Sequence, residues 1–258
     1  MDESMPPTLP GPPSASRMPL GARLMNIFTG PGEVFEDVLK GPPSTANWLV
    51  PVILSCVVGM VSSFVIFSQD AIAQQMREKQ EQVLEKRLEK MPKEKREEMR
   101  VMLEKWSNPD SMKVFGVVGA VARSFGGLYV VAAVLWLVGT RAFKGAFSYM
   151  QAVEVCGLAA MIGLLAAIVT MLLMVVMGTT LATPGPVLLI HEPDMANPAH
   201  LLLSAFNVLT LWYIGVLAIG LAKLSRASVA KAAAWLFGIW AVVTIAFVFA
   251  GFAMQKLF

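Results

Sequence analysis

The chain has 258 residues, 56% of them hydrophobic and only 15% charged, with a mean hydropathy of +0.62. That is too apolar for an ordinary soluble domain, so most of the apolar surface must face lipid or other membrane spans. The formal net charge of +3 comes from 21 basic and 18 acidic residues, more than half of each in one stretch before residue 114, and gives no reason to expect a nucleic-acid partner.

Residues 1–19 are rich in Pro, Ser and Gly. They hold too little apolar material to offset the entropy of ordering and are expected to form a disordered tail. Leu20, Leu24, Ile27 and Phe28 then recur at helical spacing. After Gly30-Pro31 a second short helix is predicted with Val34, Phe35, Val38 and Leu39 on one side. Both are expected to lie flat on the membrane, which makes residues 20–46 a pair of interfacial helices.

The segment Trp48 to Phe67 carries no charge and is about 20 residues long, which at about 1.5 Å per residue matches a hydrocarbon core of about 30 Å. It starts too far into the chain for an ordinary cleaved signal, with no positive n-region and cleavage site before it, and is expected to remain as the first span. Cys56 and Cys156 both fall in apolar segments, where a thiol behaves as a small buried hydrophobe.

Residues 69–112 change character. They are rich in helix formers, with Met76, Val83, Leu84, Leu88 and Met91 on one apolar stripe and Met99, Met102, Leu103 and Trp106 on another. Pro92 separates the two stripes, and Asn108-Pro109 closes the second. The expectation is a charged helical hairpin outside the membrane. Four further spans are predicted, roughly Val114 to Thr140, Tyr149 to Met177, Leu201 to Leu221 and Ala232 to Met254. The fold class is therefore an all-α polytopic membrane protein of about five transmembrane helices, with a membrane domain over 47–257 and the hairpin inserted at 69–112.

Five spans put the termini on opposite sides. Among the short connections, Arg141 and Lys144 lie between spans two and three, none between three and four, and Lys223, Arg226 and Lys231 between four and five. This distribution favours a cytoplasmic N-terminus. The segment 69–113 would then lie outside despite its 11 Lys/Arg, which its ten Asp/Glu and its translocation as a longer unit offset.

Three intramembrane polar residues are candidates for function: Arg123, Glu154 and Asn207. Arg123 shares a helical face with Gly116, Gly119 and Gly127, which would turn it toward the small-residue side. The favoured alternative is that it snorkels to the outer interface. Glu154 follows Gln151 by one turn, and a structural pair with Arg141 across the short loop is favoured over a proton relay. Arg123 and Glu154 lie about 26 Å and 8 Å from that loop by helix rise and are not expected to pair. Asn207 belongs to a stripe with Ser204, Leu211, Gly215, Ala218 and Ala222, a pattern expected for close helix packing with polar glue.

His191, Glu192, Asp194 and His200 are possible metal ligands, but their spacing matches no standard site. There is no Gly-rich phosphate loop, no Ser-His-Asp or Cys-His set, and only two histidines in the chain. No enzyme activity, metal or cofactor is expected.

Arg23-Leu24-Met25-Asn26-Ile27-Phe28, Pro31-Gly32-Glu33-Val34-Phe35, the Trp48-Leu49-Val50-Pro51 opening of the first span and Phe147 to Gly157 carry a resemblance to the Yip1-domain family. The likeness covers roughly residues 20–257. It implies a cytoplasmic N-terminal part followed by about five closely packed spans. The 69–112 segment resembles an insertion typical of prokaryotic members, which implies a bacterial inner membrane. Eukaryotic members act in vesicle traffic and bind small Rab-type GTPases, a role with no residue-level counterpart here and not carried over.

The function expected is a membrane scaffold or adaptor that binds membrane or peripheral proteins through the N-terminal helices and the 69–112 hairpin, in contact with membrane lipid and compatible with an oligomer. The alternative is a small transporter, channel or lipid-handling protein using the intramembrane polar residues.

Overall fold

With lipid as solvent, an apolar run satisfies its backbone groups only as a helix or in a closed barrel. The computed structural model places five helices long and apolar enough to cross a membrane. It describes residues 17–76, 78, 92, 96–97, 101, 109–191, 193–194 and 197–257. The predicted tail through residue 16, both apolar stripes of the hairpin beyond Met76, and Glu192 lie outside the described residues.

Two short helices, α1 (Leu20–Asn26) and α2 (Pro31–Leu39), precede the first span, α3 (Ala46–Phe67). The second span is α4 (Pro109–Leu137), continued by a π-helical turn at Val138–Ala142, and the third is α5 (Tyr149–Met177). A 3₁₀ turn at Pro186–Leu189 and the short helix α6 (Pro198–Ala205) lead to α7 (Val208–Ser225) and α8 (Val229–Leu257). No strand occurs among the described residues. Helix α3 packs along both α4 and α5, α5 along α7, and α7 along α8. Because the crossings alternate, the starts of α3, α5 and α8 and the ends of α4 and α7 share one face with α1 and α2. The described residues that follow α3, 68–76, and those of the connection 178–207 lie at the opposite face.

The tightest approach of two helices is between α3 and α5. Pro51 inside α3 has no N–H to return to the Asn47 carbonyl, and Gly157 of α5 fits against this turn. A Cβ on Gly157 would lie 2.3 Å from the Trp48 Cα and 3.0 Å from the Asn47 carbonyl oxygen. Both cysteines are free thiols buried in the surrounding apolar core.

Three expectations change. The fourth span does not run from Leu201: the helix breaks at Phe206-Asn207, and the crossing helix is the 18-residue α7, about 27 Å long. The N-terminal helices do not spend their apolar sides on lipid alone. Ile27, Val34, Phe35 and Val38 are buried, and α2 packs against α7 with Phe35 beside Gly220. The α3–α4 seam is built on Gly116 against Ser63 and Gly59 against Ala120, while Gly119 and Gly127 face open space. Arg123 is exposed.

The described start of the segment after α3, residues 70–76, is helical and buries Ile72 and Ala73. Ala71 rests near Gly178, where α5 ends in a left-handed cap with φ of 64°.

Candidate functional site at the N-terminal face

Arg23, Asn47 and Glu154 are each more than nine-tenths buried, at 8%, 1% and 1% exposure. Burying charged groups is costly unless they are paired and hydrogen-bonded, and these three form a continuous chain. Asp37 on α2 meets Arg23 on α1 at 2.9 Å, with a second contact from Arg23 Nε at 3.0 Å. Arg23 Nη1 donates to Asn47 Oδ1 at 3.1 Å, and Asn47 Nδ2 donates to Glu154 Oε1 at 2.8 Å. The same Glu154 oxygen accepts the Ser44 backbone N–H at 2.5 Å.

Local sequence explains each placement. Arg23 stands one turn before Ile27 on the buried side of α1, and Asp37 is followed by the buried Val38. Asn47 opens α3 one turn before Pro51. Glu154 lies about one and a half turns inside α5, whose start is fixed by a capping box in which Gln151 N–H donates to Ser148 Oγ and Ser148 N–H donates to Gln151 Oε1. Pro42-Pro43 stiffens the approach to Ser44. One carboxylate therefore ties the α2–α3 loop, α3 and α5 together, and Arg23 extends the tie to α1 and α2.

A second link joins α2 to the end of α7: Lys223 Nζ donates to Glu36. The Lys223 ammonium, through its hydrogen bond and its charge, holds the Glu36 carboxyl below its ordinary value of 4.5; partial desolvation opposes the shift and Lys40 adds to it.

Glu154 takes Asn47 and Ser44 as partners, not Arg141, which is exposed at the end of the π-helical turn. The reason is reach: the α2–α3 loop brings a backbone N–H directly onto the carboxylate from the side facing α3. Asn207 is buried at 7% exposure, but as the N-cap of α7. Its Oδ1 accepts from the N–H groups of Leu209 at 2.9 Å and Thr210 at 3.4 Å, so its side chain serves its own helix rather than a helix–helix stripe. The 18 residues from Arg123 to Arg141 rise about 27 Å, so the exposed Arg123 is separated from Arg141 and from the N-terminal face by nearly the thickness of a hydrocarbon core. The three candidates are not brought together.

His200 is likewise engaged locally. Its Nδ1 accepts the Asp194 N–H at 2.9 Å, and its Nε2 lies 3.3 Å from Asn197 Nδ2.

Arg23, Asp37, Ser44 and Asn47 were not singled out by sequence reasoning. The available signal was polar residues in or beside apolar stripes: Arg23 in step with Ile27, Asp37 next to Val38, and Asn47 at the threshold of a charge-free span.

The Yip1 domain family model matches residues 25–250. No curated protein and no solved structure shows significant similarity to the chain.

Proposed function

The chain belongs to the Yip1 domain family, and from that membership and the geometry of its N-terminal face we propose that it is a membrane scaffold or adaptor. The observation that carries this reading is the buried chain Asp37–Arg23–Asn47–Glu154, which locks α1 and α2 onto the ends of α3 and α5. Such a tie contributes no reacting group. It gives two amphipathic helices a fixed orientation, with Met25 left 68% exposed on the outer side of α1. The described start of the charged segment, residues 70–76, follows α3 at the opposite face, and in this reading the segment 69–112 supplies the second binding surface.

The N-terminal face is the cytoplasmic one in this reading, and the membrane a bacterial inner membrane. In support, Arg141, Lys144 and Arg226 lie at the connections of that face, whereas residues 178–207 contain no Lys or Arg. Transport through the bundle has less support, because Glu154 is engaged in the tie, Asn207 caps a helix and Arg123 is exposed.

Crosslinking in native membranes, affinity capture and mass spectrometry test the proposal on three versions: intact, lacking residues 70–108, and Asn47→Leu. The deletion is expected to lose a stoichiometric partner, and Asn47→Leu to weaken capture at the N-terminal face. If the intact protein captures none, the adaptor reading fails. Flux or lipid movement in reconstituted vesicles that stops on Arg123→Leu would replace it with the transport reading.

A further inference from the structure

Between α2, the 143–148 connection, the start of α5 and the end of α7 lies a cleft of about 360 Å³. Its polar lining comprises Lys40, Lys223, Arg226, Gln151 and Glu36, with Leu39, Phe147 and Leu224 forming an apolar side. We propose that this cleft binds a phosphate group, in the first place that of an anionic phospholipid headgroup.

The charge argues for an anion. Three basic side chains face one acidic side chain, and the single carboxylate, on Glu36, is already committed to Lys223. Among the described residues the Arg226 side chain has no hydrogen-bond or ion-pair partner.

The backbone at Arg226 points the same way. It sits just past the end of α7 in the left-handed region, with φ of 55°, at a position where glycine is the ordinary occupant. A non-glycine residue there is strained. That strain places a guanidinium, the side chain best suited to bidentate phosphate contact, at the cleft. The neighbouring connection repeats the feature: Lys144 has φ of 54°, and Gly145 packs so closely on Ser225 that a Cβ would lie 2.8 Å from its Cα.

Gln151 completes the donor set. Its Oε1 is held by the Ser148 N–H at 2.8 Å, which assigns the amide orientation and leaves Nε2 as an uncommitted donor in the lining. The ends of α5 and α7 bring this set to the level of the membrane interface, where headgroup phosphates lie and where the apolar side meets the glycerol and first methylenes.

The test uses the full chain in nanodiscs and in detergent, and does not depend on the adaptor reading. Binding of short-chain phosphatidylglycerol, short-chain phosphatidylcholine and inorganic phosphate is measured calorimetrically, and retained lipid by native mass spectrometry. The comparison is with Arg226→Gly, which relieves the backbone strain and should fold at least as well, with Lys40→Gln, and with Arg123→Gln as a remote charge control. Phosphatidylglycerol is expected to bind in preference to phosphatidylcholine, to weaken about tenfold or more on Arg226→Gly, to weaken on Lys40→Gln, and to be unaffected by Arg123→Gln. Inorganic phosphate that binds alone and displaces the lipid, with the same loss on Arg226→Gly, retains the phosphate site and identifies its source as soluble. Equal binding of every ligand by the intact chain and Arg226→Gly, or equal losses on Arg123→Gln, overturns the proposal.

Discussion

The two faces of the bundle satisfy their buried polar groups in different ways. At the N-terminal face, apart from Ser225, whose Oγ donates to the Leu221 carbonyl of its own helix, side chain meets side chain across long stretches of sequence: Arg23 reaches Asn47, and Asn47 reaches Glu154, 107 residues away. At the opposite face the buried polar side chains serve nearby backbone. Asn207 caps its own helix, and Thr179 Oγ1 accepts the Leu181 N–H. Even the longer contact there, Thr183 Oγ1 to the Ser204 carbonyl at 2.8 Å, ends on the main chain. A tie between side chains couples separate elements, so one substitution uncouples several of them. A cap belongs to one helix end, and its loss stays local.

Substitutions at the N-terminal face should therefore have the larger effects. The largest is expected for Gly157→Leu. Its Cβ would fall against the Trp48 backbone, which cannot rotate away, and the α3–α5 contact should be destabilised by about 3 kcal/mol. Thermal unfolding in detergent measures it, and an unchanged midpoint would mean that the two helices can separate without penalty.

Next come two replacements of Glu154. Leucine leaves the buried Asn47 Nδ2 and the partly buried Ser44 N–H without an acceptor, a loss of about 2–4 kcal/mol. Glutamine keeps an Oε1 that can accept from both, so the loss should be about 1 kcal/mol, the difference between charged and neutral acceptors. Equal losses for the two would show that the charge, rather than the acceptor geometry, holds the face together.

At the opposite face Asn207→Ala removes one cap and should lower stability by about 1 kcal/mol. Hydrogen exchange at Leu209 and Thr210 should rise while α3 and α5 stay protected. Exchange spreading to those helices would erase the contrast between the faces.

The smallest effect concerns Glu36, whose side chain is about half exposed. Its lowered value means that the link to Lys223 contributes above the ordinary carboxylate value of 4.5 and is lost as the pH falls through the lowered one. The intact chain and Glu36→Gln should thus differ slightly in unfolding temperature at neutral pH and converge in acid. Convergence at neutral pH would remove Glu36–Lys223 from the contacts that hold α2 on α7.

The number of spans and most of their limits were legible in the residues, because lipid imposes a length and an apolarity that a local window detects. Ala46–Phe67 and Tyr149–Met177 match the apolar runs almost residue for residue. The fourth span was misread for a local reason. The apolar run from Leu201 continues through Phe206, and only the packing of residues 183–185 against 204–208, with the Val208 N–H donating to the Pro184 carbonyl at 2.9 Å, ends one helix and starts the next.

The candidate site divides along the same line. Glu154 stood out as a charge in an apolar helix, which is a property of composition. Its partners did not, because Ser44 and Asn47 are more than 100 positions away and nothing in their own neighbourhood refers to α5. The basic cleft was equally hidden: Lys40, Gln151, Lys223 and Arg226 are unremarkable in sequence and meet only because α2 docks on α7. The sequence by itself determined the solvent this protein folds in and how many times it crosses, since both follow from short-range hydrophobicity. Which buried polar groups meet, and which charges line one cleft, was decided by the tertiary structure alone, because hydrogen bonds and ion pairs act over a few ångströms and the chain brings those atoms together only by folding.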